Sequence, residues 1–519
     1  MTDAATAVLI VGAGPAGLTA ALELTRRGVP CRVVDRTPRP AAATGCYMLW
    51  PRTLGVLHRA GAPVGELARS AVTLRRKVFH LGGESFAHSM ADEDGRWPLP
   101  LTLPQPVTED VLTRALAARG VPVERPVLAA SVRQDADGAD VELRRPGGVE
   151  RVRVRWVVLA QGAADDGLRT ALGFGWSGEA VPGVRMFHLD VDLGGVLPLP
   201  PEEEHIFLAD HRNIGFVPLP DGRHRLFTME PDPDPADWSA PDWSALADTV
   251  RAVTGMTGDP RYTGPVWRSR PARGLAGRFR SGRCFVVGET AKTVPMPVHG
   301  FNGGVQDAHD LAWKLADVER GVTGEAVLDS YDHERRAVAR ATIEHASRIL
   351  AYGTHPDAEA LHGPRVRTAT HDVRTQPPVR YPAGELCRDA ADLPGPAAGE
   401  RLPDPPVRGP DGAGAPLSET LGADWALVAL TGLAGLDGPG TDTVRVRALA
   451  DAYPELRTWL LTPGEPRPGE TADPDGALHR AVDADEPRLY VVRPDGHIGF
   501  RGPLHDLTAL RGYLGRVFA

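Results

Sequence analysis

Lysine is nearly missing from these 519 residues: only Lys77, Lys292 and Lys314 occur, against 55 arginines. There is no run of five or more basic residues, and the formal charge is -9 with 24% of residues charged. Nucleic acid is therefore not an expected partner, because backbone binding needs a basic patch or stripe. The skew towards arginine, with 58 Gly and 49 Pro, reads as GC-rich coding and not as a sign of binding. Cysteine is scarce as well. Cys31, Cys46, Cys284 and Cys387 lie far apart with no C-x-x-C, which argues against a metal site or a disulfide framework and fits a reducing cytoplasm. Residues 4–24 are small and apolar, yet Asp3 stands where a signal peptide would be basic, and Gly12, Gly14, Pro15 and Gly17 interrupt the run. Neither a secretory leader nor a membrane span is expected there. No internal period of 20 to 50 residues indicates repeats.

What the chain does have begins at once. In "AVLIVGAGPAGLTAALELTRRGVPCRVVD", Ala7–Val11 is a continuous apolar run suited to a strand covered on both faces. Leu18, Leu22 and the alanines between them then recur at helical spacing as far as Gly28, and residues 31 to 35 resume as strand. The unit is β-α-β with Gly12, Gly14, Pro15, Ala16 and Gly17 at the turn. Gly12 permits the tight turn, Gly14 admits a pyrophosphate to the backbone, and Gly17 allows close packing of helix on strand. Free N–H groups at the helix start favour the phosphates. Asp35, followed by Arg36, is placed to accept hydrogen bonds from ribose hydroxyls. The spacing predicts a bound dinucleotide without choosing between NAD and FAD.

A second stretch, "GRCFVVGETAKTVPMPVHGFNGGVQDAHDLAWKLA" at 282 to 316, reads as a strand ending at Gly288-Glu289. A loop holding Pro295 and Gly300 follows, then an amphipathic helix starting at Asn302-Gly303. Asn302 is a suitable cap for that helix.

These two stretches, with "LPQPVTEDVLTRAL" at 103 to 116, resemble the class A flavoprotein aromatic hydroxylases, the para-hydroxybenzoate hydroxylase-like enzymes, and among them the bacterial aromatic-polyketide branch. The resemblance covers essentially the whole chain. It implies an α/β chain: a Rossmann-like FAD-binding domain (1–72, 101–178 and 271–351), an antiparallel-sheet substrate domain (73–100 and 179–270), a linker (352–418) and a thioredoxin-like domain (419–519). It implies FAD as the dinucleotide, with the helix N-terminus beside the flavin ring, where roughly half a positive charge stabilises the reduced anion. It places Gln105 against the FAD chain, although a Gln before a helix is by itself usually a surface residue. It implies reduction by NADPH and reaction with O2 to a flavin C4a-hydroperoxide, which hydroxylates a polycyclic phenolic small molecule in a site that excludes water. His299 is a candidate catalytic base there, the bland alternative being a solvated loop histidine. The implied assembly is a monomer or homodimer.

Several positions depart from the family's pattern. Glu289 stands where the family has Asp, and Lys292 where it has His; Lys292 could pair with Glu289 or a phosphate, or be an exposed loop residue. The motif expected as G-A-D-G-A-R appears as Gly162-Ala163, with Asp165 and Asp166 as a displaced version and Arg169 retained. This bears on reduction by NADPH. Trp238, Trp243, Phe207 and Phe216 could line a substrate cavity, though aromatic residues on alternating strands are more often core. The arginines of 266 to 283 are expected to pair with acids, or one of them to meet the 2'-phosphate of NADPH. With no cysteine after Cys387, the thioredoxin-like part cannot exchange thiols. Two rivals stay open. One is Baeyer-Villiger, rearrangement or dehydration chemistry on the same fold, and the other is a non-catalytic binding protein with a decayed FAD site.

Overall fold

A computed structural model describes residues 6–41, 45–81, 83–91, 95–163, 166–209, 212–232, 243–354, 379–409, 412–432, 441–464 and 471–518. The apolar runs Val8–Val11 and Trp156–Leu159 pair in parallel, Val8 opposite Trp156, at the centre of a six-stranded sheet. Cys31–Val34 and Val123–Glu124 extend the sheet on one side, Cys284–Val286 and Arg280–Ser281 on the other. Its central strands are buried on both faces, which is why they are apolar without alternation. The helix Pro15–Arg26 packs beside the helix Pro297–Glu319, here called the central helix, and beside Gln105–Ala117.

Above this layer lies a seven-stranded sheet. Its order is Arg261–Ser269, Val184–Asp192, His224–Pro231, Arg212–Pro218, Glu203–Ala209, Arg76–Leu81 and Glu84–Ser89. All its pairs are antiparallel except Glu203–Ala209 with Arg76–Leu81. Alternation splits its side chains between two cores. Phe187, Leu189, Phe207, Phe216 and Leu226 pack with Leu246 and Val250 of the covering helix Trp243–Thr254. Tyr47, Phe79, Ile206, Val217, Phe227 and Val298 form the other core, facing the central helix.

The third sheet has Trp425–Leu430 parallel to Leu456–Pro463 and antiparallel to Arg488–Val492, which hairpins to Ile498–Pro503. This is the thioredoxin order, closed by the helix Leu507–Val517. The expected linker at 352–418 needs correction where it is described. Arg388–Asp389, Pro406–Arg408 and Gly414–Pro416 join this sheet, and Tyr381, Leu402 and Val407 are buried in its core. Pro and Gly richness there marks short strands and tight turns, which carry no periodicity to read. Among the described residues no helix is long and apolar enough to cross a membrane, and no cluster of His, Cys, Asp or Glu could hold a metal. All four cysteines are buried, and none is joined in a disulfide.

Candidate active site

One cleft of about 430 Å3 runs from the first glycine turn to the start of the central helix. Gly12 has φ +111, and a Cβ on it would stand 2.2 Å from the carbonyl oxygen of Ala160. Gly17 is equally committed, since its added Cβ would lie 2.0 Å from the carbonyl oxygen of Gly12. Gly14 differs: a Cβ there meets nothing within 4 Å and would project at the cleft wall. The helix behind it has no side-chain cap and no acid in its first turn, so its leading N–H groups face the cleft uncompensated.

Asp35, Arg36, Gln105, Gly288, Glu289 and Gly300 line the same cleft, with Pro15 and Ala16 of the turn. The Asp35 carboxylate is already busy. Its Oδ1 accepts from Thr37 N and Oγ1 and pairs with Arg125 at 2.8 Å, while among the described residues Oδ2 accepts only from Ala13 N at 2.8 Å. A carboxylate has about four lone-pair sites, which leaves Oδ2 room for one more donor. Gln105 does face the cleft, and its amide donates to Glu109 at 2.7 Å. Burial pushes the Glu109 carboxyl up, against the pull of the Gln105 hydrogen bond and of Arg125. Arg125 and Glu109 are not recognisable from the sequence, because Arg125 follows an edge strand of two residues, which has no visible periodicity.

The far end corrects several expectations. The central helix does not start at Asn302-Gly303: it starts at Pro297, with Met296 before it and no side-chain cap. Proline at the first position is preorganised for a helix start. Gly300, Gly303 and Gly304 are helical, and two of them are tightly packed: a Cβ on Gly304 would come 3.0 Å from Gly288 Cα and one on Gly303 3.3 Å from Lys292, whereas one on Gly300 would make only ordinary contacts at 3.8 Å. Pro297, Gly300, Phe301 and Gly304 therefore meet the cleft, and Pro295, Asn302 and Gly303 do not. Asn302 is a clamp and not a cap: its Oδ1 accepts from Trp50 N, and its Nδ2 donates to Met48 O and Val298 O. Gly303 sits against the Lys292 stem, 3.3 Å from an added Cβ. Lys292 is neither exposed nor directed at a phosphate. It is buried and ion-paired to Asp307, which also binds Arg335 at 2.8 Å. Burial pulls the Lys292 ammonium below its ordinary value, with Asp307 opposing. Glu289 is exposed to the cleft, where enclosure by neighbouring atoms raises its pKa and Lys292 lowers it.

In the 160s, Gln161 and Gly162 reach the cleft and Asp166 precedes a short helix. Asp165 lies outside the described residues, as does Trp238. Arg169 is buried, donates to Thr290 O and lies 4.1 Å from the Trp176 ring centroid. Phe207 and Phe216 belong to the core on the far face, and Trp243 is partly exposed beside Tyr262. The residues between sheet and cleft are instead Tyr47, His188, Phe227 and Trp267. Ring centroids lie 4.9 Å apart for His188 and Trp267, and about 6.2 Å for Tyr47 and His188. Trp267 reaches the cleft wall beside Gly45.

His188 and His299 are buried, and both nitrogens of each lack a hydrogen-bond partner among the described residues. Burial drives both imidazoles down to about 3; Arg225 adds to this for His188, His345 and Lys77 for His299. Both are neutral at neutral pH. The arginines of 266 to 283 mostly meet acids: Arg270 with Asp232, Arg273 with Glu179, Arg280 with Asp329 and Arg283 with Glu325.

Residues 5–346 match the family described as FAD binding domain. The chain belongs to that family. It is 31% identical to 6-methylpretetramide 4-monooxygenase of Streptomyces rimosus, over 98% of this chain and 92% of that one. Its fold is similar to that of aklavinone-11 hydroxylase, solved with FAD and aklavinone, at TM-score 0.80 and 24% identity over 100% of both chains. Anhydrotetracycline hydroxylase from Streptomyces rimosus is similar at TM-score 0.73 and 25% identity, over 99% of both chains. The chain is thus an FAD-dependent monooxygenase of the class A aromatic-hydroxylase type. The uncapped turn at Gly14, the open space over it and the second uncapped helix start fit that cofactor.

Proposed function

We propose that this enzyme hydroxylates a polycyclic phenol of the aromatic-polyketide type, consuming NADPH and O2 and releasing NADP+ and water. The observation that carries this reading is the aromatic cluster of Tyr47, His188, Phe227 and Trp267 under the sheet, with Trp267 at the cleft wall and with His188 and, elsewhere, His299 buried without a partner among the described residues. Gly12, Gly14 and Ala16 would receive the pyrophosphate, and Asp35 a ribose hydroxyl on its free Oδ2 position. Gly288, Glu289 and Gly300 would hold the flavin end. When bound and reduced, FAD supplies O2 activation and the oxygen atom that is transferred.

The chain's own residues do the rest. Tyr47, Phe227 and Trp267 offer flat apolar surface to a fused-ring substrate and exclude water from the reacting face. A neutral His188 or His299 nitrogen can accept a hydrogen bond from a phenolic hydroxyl, which orients the ring and adds electron density to the carbon to be hydroxylated without moving the proton. Such an imidazole gains a partner on binding, which offsets the cost of burying it unpaired. Buried reduced thiols and use of NADPH accord with a cytoplasmic setting, which forms part of the proposal.

A second reading, rearrangement or oxygen insertion on the same fold, is favoured by one observation: none of the described carboxylates of the 160s segment reaches the cleft. The test for both is to purify the protein, record its visible spectrum and add NADPH without oxygen. Flavin absorbance that bleaches, followed in air by one 18O per product from 18O2 and one NADPH consumed, supports hydroxylation. Product that forms without NADPH consumption supports rearrangement, and one 18O found in an ester or lactone ring instead of a new phenolic hydroxyl supports oxygen insertion. A protein that stays colourless with added FAD refutes both.

A further inference from the structure

A second cavity, of about 260 Å3, lies between the helix Pro51–Arg59 and the C-terminal domain, apart from the cleft. At ~30 Å3 per water it has room for roughly nine waters. Three arginines converge on it. Arg52 and Arg59 come from one helix face, and an added Cβ on Gly496 would lie 3.3 Å from Arg59 Nη2 and 3.9 Å from Arg52 Nη1. Arg401 faces them from the other domain.

Among the described residues, none of the three has a carboxylate within ion-pair distance. Arg52 donates to the backbone oxygen of Asp495 at 2.8 Å, and Arg59 to that of Gly422 at 3.0 Å. A guanidinium has five N–H donors, so most are uncommitted. Of the acids that line the cavity, Glu419 is taken by Arg96 at 2.8 Å. Asp404 is held by Ser418 N at 2.6 Å and Ser418 Oγ at 2.8 Å. Setting Asp404 against one of the three guanidinium groups leaves two positive charges unmatched. Burial, then Arg401 and Arg59, push Arg52 down to about 9. An arginine stays charged at neutral pH, and the nearby Asp495 carboxylate, itself paired with Arg493 at 2.9 Å, offsets only part of that push. Beside the arginines, Trp97 presents its ring with Nε1 unpartnered.

We propose that this junction cavity binds a doubly charged phosphate group, either inorganic phosphate or a phosphate monoester, held by Arg52, Arg59 and Arg401 with Trp97 alongside. Two unmatched charges select a dianion over a chloride or a single carboxylate. Planar guanidinium forks fit its oxygens bidentately. Because the cationic groups come from both domains, the anion would tie them together.

The test is a titration of the FAD-loaded protein with inorganic phosphate at constant ionic strength, read by calorimetry and by the thermal midpoint. Saturable binding is expected, with affinity falling roughly tenfold in Arg401→Ala, the worth of one charge-assisted contact. Arg401 is half-buried, loses no side-chain partner among the described residues and repels Arg52 and Arg59, so the phosphate-free midpoint of Arg401→Ala should not fall below the parent's. Arg401→Gln is the second variant should alanine fail to fold. Titrating 2'-AMP in parallel separates the sources: tighter binding than phosphate, equally sensitive to Arg401→Ala, assigns an ester, and equal affinity assigns free phosphate. A phosphate response no greater than that of chloride, or one unchanged by both variants, overturns the proposal.

Discussion

Replacing Gly14 with alanine separates what a pyrophosphate needs from what the fold needs. Gly14 has φ -78 and ψ 179, extended backbone that any residue adopts. Its added methyl meets nothing within 4 Å. The FAD-free variant should therefore melt within about 2 °C of the parent, as surface changes of ±0.5 kcal/mol do. With FAD the methyl enters the space the phosphate approaches. Overpacking of this kind costs about 1–3 kcal/mol, or roughly 5- to 150-fold in affinity. Gly17→Ala is the contrasting perturbation. Its methyl falls 2.0 Å from the carbonyl oxygen of Gly12, so the helix must move off the strand and the FAD-free protein itself should lose stability. The assay is FAD fluorescence quenching for affinity and thermal unfolding of the deflavinated protein for stability. Parental FAD affinity in Gly14→Ala, or a parental midpoint in Gly17→Ala, would refute the reasoning.

Asp307→Asn removes the carboxylate shared by buried Lys292 and Arg335. Stranding buried charges costs about 3–5 kcal/mol, so a clearly lower thermal midpoint is expected, and an unchanged one would count against the buried pair. His188 and His299 are pushed to about 3 and His309 to about 4, all mainly by burial. The unfolded chain then binds protons first as pH falls. Their stabilisation is complete above about 6.5 and is lost as pH falls through that value towards 3. Urea midpoints should drop across this window and drop less in His188→Phe; a flat profile contradicts the assignment. The four thiols are buried, with pKa raised to about 11 for Cys31 and about 12 for Cys46, Cys284 and Cys387. A thiol reagent at pH 8 should label none of them in the folded protein and all four in denaturant, and fast labelling of the native protein would disprove the packing.

The first forty residues were legible because each glycine there answers a local demand: a positive φ at Gly12 and a strand contact at Gly17 both leave a spacing in the sequence. The start of the central helix was not. "PMPVHGFNGG" has two prolines and three glycines, the composition of a loop, yet it is helical from Pro297 because Gly288 and the Lys292 stem lie against Gly304 and Gly303. Tertiary contact outweighed propensity there. Lys292 was misjudged for a related reason. Its partner Asp307 lies fifteen residues on, inside the helix, and nothing in the sequence marks that carboxylate as buried. The cleft-side aromatics were missed because strand alternation says that two faces exist but not which one meets the layer of the central helix. Phe207 and Phe216 fell on the far face, Phe227 and Trp267 on the near one.

The C-terminal domain bears on the site through charge and not through thiols. Its Arg493 is fully buried and reaches Glu334 at 2.6 Å and Asp310 at 3.3 Å, the same two acids that hold Lys314 of the central helix. Nearer the end of that helix, Asp317 accepts from Trp425 Nε1 at 2.9 Å and pairs with Arg27 at 3.2 Å, and Arg27 in turn donates to Ala423 O. The helix whose first turn meets the cleft is thus fixed along its second half by another domain. Buried ion pairs add little net stability when complete, yet withdrawing one partner strands the rest. A domain joined in this way cannot separate cheaply. A thioredoxin fold without active cysteines thereby acquires a physical role, since it anchors the second half of the helix whose first turn meets the cleft.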